Sequence, residues 1–191
     1  MTAVVFDVGE TLVDETRTWE RAADAAGVPR FTLMGVLGGL AARGEHHSRA
    51  WQLLGIARPP SEPPSVEDFF PDALACLERA RWRGYFVGAA GNMPAAHEDL
   101  LRPHVHFVGS SERWGVEKPA ARFFARIARE CARRPPEIAY VGDRVDNDVA
   151  PALAAGMVAV HVRRGPWGHL QEPPPDAIRI RSLDELPEAL P

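Results

Sequence analysis

Cysteine is scarce: two in 191 residues, Cys76 and Cys131, far apart and in no CxxC spacing. That excludes a disulfide framework or a cysteine-built zinc site and suits a reducing, cytoplasmic compartment. Both sit among apolar neighbours in helical patterns, which points to packing. A basic excess is also missing. Lys and Arg number 22 against 26 Asp and Glu, a formal net charge of −4. No global field therefore draws in nucleic acid or an acidic membrane surface. The local run of Arg126, Arg129, Arg133 and Arg134 reads as a solvated helix face. No apolar stretch approaches the ~20 residues a membrane helix needs. The chain enters a strand-like pattern directly, with no basic start and no small-residue cleavage site, so no signal peptide is expected. Homo-oligomerisation is left open by the sequence.

What is present is the alternation of an α/β protein. The hydrophobic fraction of 46% and the charged fraction of 25% are those of an ordinary globular chain. Short apolar runs occur at Ala3–Val8, Tyr85–Ala90, Val105–Val108, Ile138–Val141 and Met157–Val162. Their brevity and β-branched content predict strands buried on both faces. Helical spacing lies between them. Leu74, Leu77 and Ala80 share a face ahead of Gly84, and Phe124, Ile127, Ala128 and Cys131 keep the i, i+3, i+4, i+7 pattern until Pro135 and Pro136 stop it. Val149, Ala152 and Leu153 precede Gly156, and Ser182–Glu185 reads as a capping box for a last short helix. The expected fold is a Rossmann-like, doubly wound parallel sheet.

Residues 14–71 interrupt the alternation. Trp19–Ala26, Thr32–Arg43 and Ser48–Leu54 read as short helices, followed by a stiff linker, Pro59-Pro-Ser-Glu-Pro-Pro64. The expected organisation is a core from 1–13 and 72–191 with a small helical cap, and its linker, inserted after the first strand.

Ligands of open α/β sheets bind outside the carboxyl ends of the strands. Asp7 lies at the end of the first run, and Gly91 and Asn92 close the second. Lys118 follows the third after a loop, while Asp143, with Asp146 and Asp148 behind it, follows the fourth. Carboxylates gathered this closely need a compensating cation. With no nearby His or Cys, hard oxygen ligands favour Mg²⁺ over zinc.

Four segments together resemble the motifs of the haloacid dehalogenase-like hydrolases, in that family's order. They are Phe6-Asp-Val-Gly-Glu-Thr-Leu12, Val87-Gly-Ala-Ala-Gly-Asn92, Gly115-Val-Glu-Lys-Pro119, and Val141-Gly-Asp-Arg-Val-Asp-Asn-Asp148 continuing to Ala154-Ala-Gly-Met157. The resemblance implies that Asp7 is a nucleophile forming an aspartyl-phosphate. Metal would be held by Asp7, the carbonyl of Gly9, Asp143 and Asp148, the last of which could instead orient Lys118. Lys118 would bind phosphoryl oxygens, with Thr11, Gly91 and Asn92 as further phosphate contacts. The implied ligand is a small phosphorylated molecule.

Two departures from the family stand out. Gly9 occupies the place of the usual acid–base Asp, and Gly91 that of the usual Ser or Thr. Either Glu10, His46 or His47 supplies the proton, or the leaving group needs none, or the protein binds a phosphorylated ligand without turnover. A metal-independent 2-haloacid dehalogenase is the alternative chemistry, because halide leaves without a proton. Trp114, Trp167 and the pair Arg163–Arg164 read as loop packing, and Trp19 and Trp51 as core of the insert.

Overall fold

A computed structural model describes residues 1–60 and 62–191. Ser61, in the middle of the expected proline linker, lies outside the described residues. Six parallel strands form one sheet in the order β3-β2-β1-β4-β5-β6. They are β1 (Ala3–Phe6), β2 (Phe86–Gly91), β3 (Phe107–Ser110), β4 (Ile138–Gly142), β5 (Val158–Val162) and β6 (Ile178–Ile180). All four residues of β1 and all five of β4 are buried, as strands covered by helices on both faces must be.

The helices run α1 (Thr16–Ala25), α2 (Arg30–Ala42), α3 (Arg49–Leu54), α4 (Ala73–Trp82), α5 (Glu98–Leu101), α6 (Ser111–Trp114), α7 (Ala121–Cys131), α8 (Ala150–Ala154), α9 (Gly165–Leu170) and α10 (Leu186–Ala189). The alternation of side chains along the strands divides the core between the two faces. Val4 and Phe6 pack with α4 residues Ala73, Cys76 and Leu77. Ala3 and Val5 pack with Phe123, Phe124, Ile127 and Cys131 of α7. The spacing at Phe124, Ile127 and Cys131 thus marks a buried face, widened by Phe123.

Three details differ from the sequence expectation. The third strand begins and ends two residues later than the apolar run, because Ser110 extends it: the Ser110 Oγ donates to buried Glu98 and accepts from the Arg113 N–H. β6 carries only a three-residue alternation, Ile-Arg-Ile, with Arg179 outward, too short to stand out as an apolar run. The stretch around Trp167 is a helix, α9, whose Trp167 is 6% exposed rather than a surface-loop residue.

Between β1 and α4 the chain forms α1, α2 and α3, which share a small apolar core of their own. Ala23, Leu33, Leu37, Leu40 and Trp51 are buried there, and Trp167 of α9 enters the same cluster. This single tryptophan ties the three helices to the loop after β5. Of the arginine run on and just after α7, Arg126 pairs with Glu130 and Arg134 with Glu137. It is a solvated face, as its spacing implied.

Candidate active site

The strand order reverses between β1 and β4. The chain proceeds from β1 outward to β2 and β3, then returns to the other side of β1. In an open α/β sheet this topological switch point opens a crevice at the carboxyl ends of the strands. Asp7 immediately follows β1 and Asp143 immediately follows β4, and the two strands pair from Ala3↔Ile138 to Phe6↔Val141. The topology alone therefore brings two carboxylates distant in sequence to one point. Asp148 comes from the turn of π-helix at Val145–Val149. A carboxylate oxygen from each of Asp7, Asp143 and Asp148 lies within 4.8 Å of the others, and all three residues are buried.

Lys118 supplies the countercharge. Its Nζ donates to Asp148 Oδ1 at 2.5 Å and lies 2.6 Å from Asp7 Oδ1. The other oxygen of Asp148 accepts the Arg144 backbone N–H at 3.0 Å, so Asp148 is clamped at both ends and holds the lysine. Burial opposes the charge on Lys118, but Asp148 and Asp7 hold its ammonium well above the ordinary lysine value. Burial, and then the charges of Asp148 and Asp7, push Asp143 well above the usual carboxylate range. Burial and then Asp7 raise Asp148 to about 6. Three buried carboxylates against one ammonium leave a net negative site built only of hard oxygen donors. That donor set fits Mg²⁺, and it fits neither zinc nor copper.

Glycine is required at two points around these groups. A Cβ at Gly91 would stand 2.7 Å from Asp7 Oδ1, and one at Gly142 would stand 2.5 Å from Asp148. The missing hydroxyl at 91 thus leaves the room that Asp7 occupies. Asn92 is also committed. Its Oδ1 accepts the Lys118 N–H at 2.7 Å and its Nδ2 donates to the Lys118 carbonyl at 3.0 Å. This fixes the backbone of the lysine, and Asn92 also lines the cavity described below. Thr11 stands apart from that cavity. It is fully buried, its hydroxyl has no partner, and it is absent from the cavity wall. Asp146 points away and pairs with Arg144.

Asp7, Lys118 and Asp143 open into a cavity of about 400 Å³ whose other walls come from α1, α2, α3 and α9. That size suits a small metabolite. Trp19, Trp51 and Trp167, read from the sequence as packing, line it as well. Of the proton donors considered from sequence, Glu10, His46 and His47 all face this cavity. Glu10 sits at a left-handed φ of 53° and turns its carboxyl onto the Glu15 N–H at 3.0 Å. Burial, then the charge of Glu15, push it up to about 8. His47 packs edge-on against Trp19 and Trp167. Burial, then His46, push it down to about 3.

A histidine depressed in the folded state leaves the unfolded chain to take the proton first. Its stability cost therefore begins below the ordinary histidine value and grows as pH falls toward the folded one. Urea titrations should show His47→Gln gaining about 1 kcal/mol on the wild type between roughly pH 7.5 and roughly pH 5.5. A constant difference across that range would place His47 in water.

The residue that sequence reasoning missed is Glu15, directly ahead of α1. At this N-cap position a carboxylate ordinarily accepts a helix N–H, but Glu15 makes no such bond, and Asp14 accepts the Thr16 N–H instead. Glu15 turns into the cavity, where its Oε2 accepts from the Trp19 indole at 3.3 Å. Burial, then the charge of Asp7, raise it above the usual carboxylate range. A Cβ at Gly9 would stand 2.6 Å from Glu15 Oε1. The one available signal was an acidic residue opening the first helix of the insert.

The HAD-hydrolase-like family model matches residues 116–186, which carry the Lys118 and Asp143 motifs. The chain is 35% identical over 127 residues, 63% of its length and 54% of the relative's, to a glyceraldehyde 3-phosphate phosphatase of Methanopyrus kandleri. It is 35% identical over 129 residues, 63% of its length and 51% of the relative's, to a phosphoserine phosphatase of Thermus thermophilus. The chain thus spans about half the length of these curated relatives. Over its whole fold it superposes on a HAD phosphatase from Thermococcus onnurineus with a TM-score of 0.66 at 22% identity, covering 98% of this chain and 97% of that one. With the motifs, the sheet order and the carboxylate–lysine cluster, these likenesses define a HAD-type α/β hydrolase fold. In its motifs, in the family model over residues 116–186 and in its fold, the chain is similar to the haloacid dehalogenase-like hydrolases.

Proposed function

We propose that the protein is a Mg²⁺-dependent phosphatase of a small phosphorylated metabolite, working through an aspartyl-phosphate on Asp7. The observation that carries this reading is the convergence of Asp7, Asp143, Asp148 and Lys118 on one point beside the cavity. Relatives named as phosphatases of two different phosphate esters support the reaction class while leaving the substrate open.

Asp7 Oδ1 is held by Lys118, so the carboxylate faces the cavity in a fixed direction and a phosphorus atom can approach its free oxygen. Lys118 and backbone N–H groups beside Gly91 would then carry the charge of the transferring phosphoryl oxygens. Bound between Asp7, Asp143 and Asp148, with the Gly9 carbonyl alongside, Mg²⁺ would neutralise developing phosphoryl charge. Helices α1, α2 and α3 act as a cap that excludes water from this chemistry. The two buried free cysteines suit a cytoplasmic setting, and none of the described helices is long and apolar enough to cross a membrane.

The dehalogenase alternative needs one carboxylate nucleophile and no metal. Three buried carboxylates, only two of them paired with Lys118, count against it, because that excess of acidic groups calls for a cation. A chromogenic phosphate monoester should be hydrolysed with Mg²⁺ and left intact with chelator. Halide release from a 2-haloacid that chelator does not affect would replace this reading with the dehalogenase one.

A further inference from the structure

Within the phosphatase reading proposed above, Gly9 leaves the leaving-group oxygen without its usual proton source. We propose that Glu15 is the general acid–base of this site, its carboxyl group standing in the space that a side chain at position 9 would fill. The placement rests on three contacts. A Cβ built on Gly9 meets Glu15 Oε1 at 2.6 Å and Glu15 Cδ at 2.9 Å, so the two positions compete for one volume. Glu15 lines the same cavity as Asp7 and Lys118. Its carboxyl makes no bond to the helix start and is steered inward by the Trp19 indole N–H, while its own backbone N–H is tied to Glu10. A longer side chain from the first helix of the insert has thus replaced a short one from the strand-end loop.

The chemistry closes in two steps. An Asp7 oxygen attacks phosphorus and the bond to the ester oxygen breaks, while the Glu15 O–H passes its proton to that oxygen and the alcohol departs. Water then attacks the phosphorus of the aspartyl-phosphate as the Glu15 carboxylate takes its proton. The phosphorus–oxygen bond to Asp7 breaks, and inorganic phosphate leaves with Asp7 and protonated Glu15 regenerated. Glu10 has the weaker claim, since its carboxyl faces the Glu15 N–H and the Gly165 backbone.

The deciding experiment compares Glu15→Gln with the wild type on two esters, an alkyl phosphate and 2,4-dinitrophenyl phosphate. Alkoxide cannot leave without a proton, so turnover of the alkyl ester should fall by about 10²-fold or more. Dinitrophenolate needs none. The variant should release one equivalent of it in a burst and then stall, with a phosphoryl group on Asp7 visible in the intact mass. Mg²⁺ should still bind to the variant by calorimetry, because Glu15 is not among the assigned ligands. Equal slowing on both esters without a phosphoenzyme, or wild-type rates on both, overturns the assignment.

A second pair of variants guards against misfolding. Gly9→Asp combined with Glu15→Ala restores a carboxylate from the strand side and should recover alkyl-ester turnover at least about tenfold over Glu15→Ala alone. No recovery counts against the exchange of positions. Asp7-dependent turnover that ignores Glu15 sinks only this assignment. Failure of the wild-type enzyme to release either leaving group sinks the phosphatase reading with it.

Discussion

Asp7→Asn should lower phosphate-ester turnover by at least about 10³-fold while leaving the protein folded and no less stable without metal. The two halves of this expectation come from different physics. The amide keeps the shape of the carboxylate but is a far poorer nucleophile, so the covalent step is lost outright. The fold has little reason to object. Asp7, Asp143 and Asp148 are buried together against a single ammonium, and neutralising one carboxylate removes like-charge repulsion. Lys118 keeps its contact with Asp148 in the variant. Thermal unfolding without divalent metal should therefore give a melting temperature equal to or above the wild type's. The added stabilisation by Mg²⁺ should shrink, since one ligand has lost its charge. A variant that turns over at the wild-type rate would remove Asp7 from the chemistry, and the phosphatase reading would go with it.

The parts of this arrangement legible in the sequence are those that backbone topology dictates. The runs around Val5, Val87, Tyr140 and Val160 are buried on both faces, and such strands read as continuous apolar stretches. Once the strands are recognised, a polar residue just beyond each marks the rim of the crevice. That is why Asp7 and Asp143 stand out at strand ends in the sequence, whereas Lys118 follows β3 only after α6 and a loop. Where a side chain bends could not be read in this way. Asn92 and Thr11 lie in the same motifs, but the amide of one braces the backbone of Lys118 and the other is buried away from the cavity. Glu15 escaped for the converse reason. Its role depends on the space left by a glycine six positions earlier and on the approach of Trp19, and neither has a periodicity to detect. Trp167 looked like loop packing because its partners Leu33 and Leu37 lie in a distant helix.

Lys118→Met tests the other half of the cluster, its electrostatic balance. Methionine nearly fills the volume of the lysine stem, so packing against the Tyr140 ring, 5.7 Å from Nζ, is largely preserved and the change is mainly one of charge. Asp7 and Asp148 then face each other, buried, with no ammonium between them. Removing one partner of a buried pair costs about 3–5 kcal/mol, since the remaining charge is neither solvated nor compensated. For a chain of this size that lowers the melting temperature by on the order of 10 °C. Activity should disappear, because no fixed positive charge remains to receive the phosphoryl oxygens. Added Mg²⁺ should restore more stability to this variant than to the wild type. The metal-free site has become more negative by one charge, and a cation now does the work the lysine did. Recovered stability without recovered activity would separate the two duties of Lys118, holding the carboxylates together and gripping the substrate. A variant as stable as the wild type, with no larger response to Mg²⁺, would mean that the three carboxylates do not share one buried site.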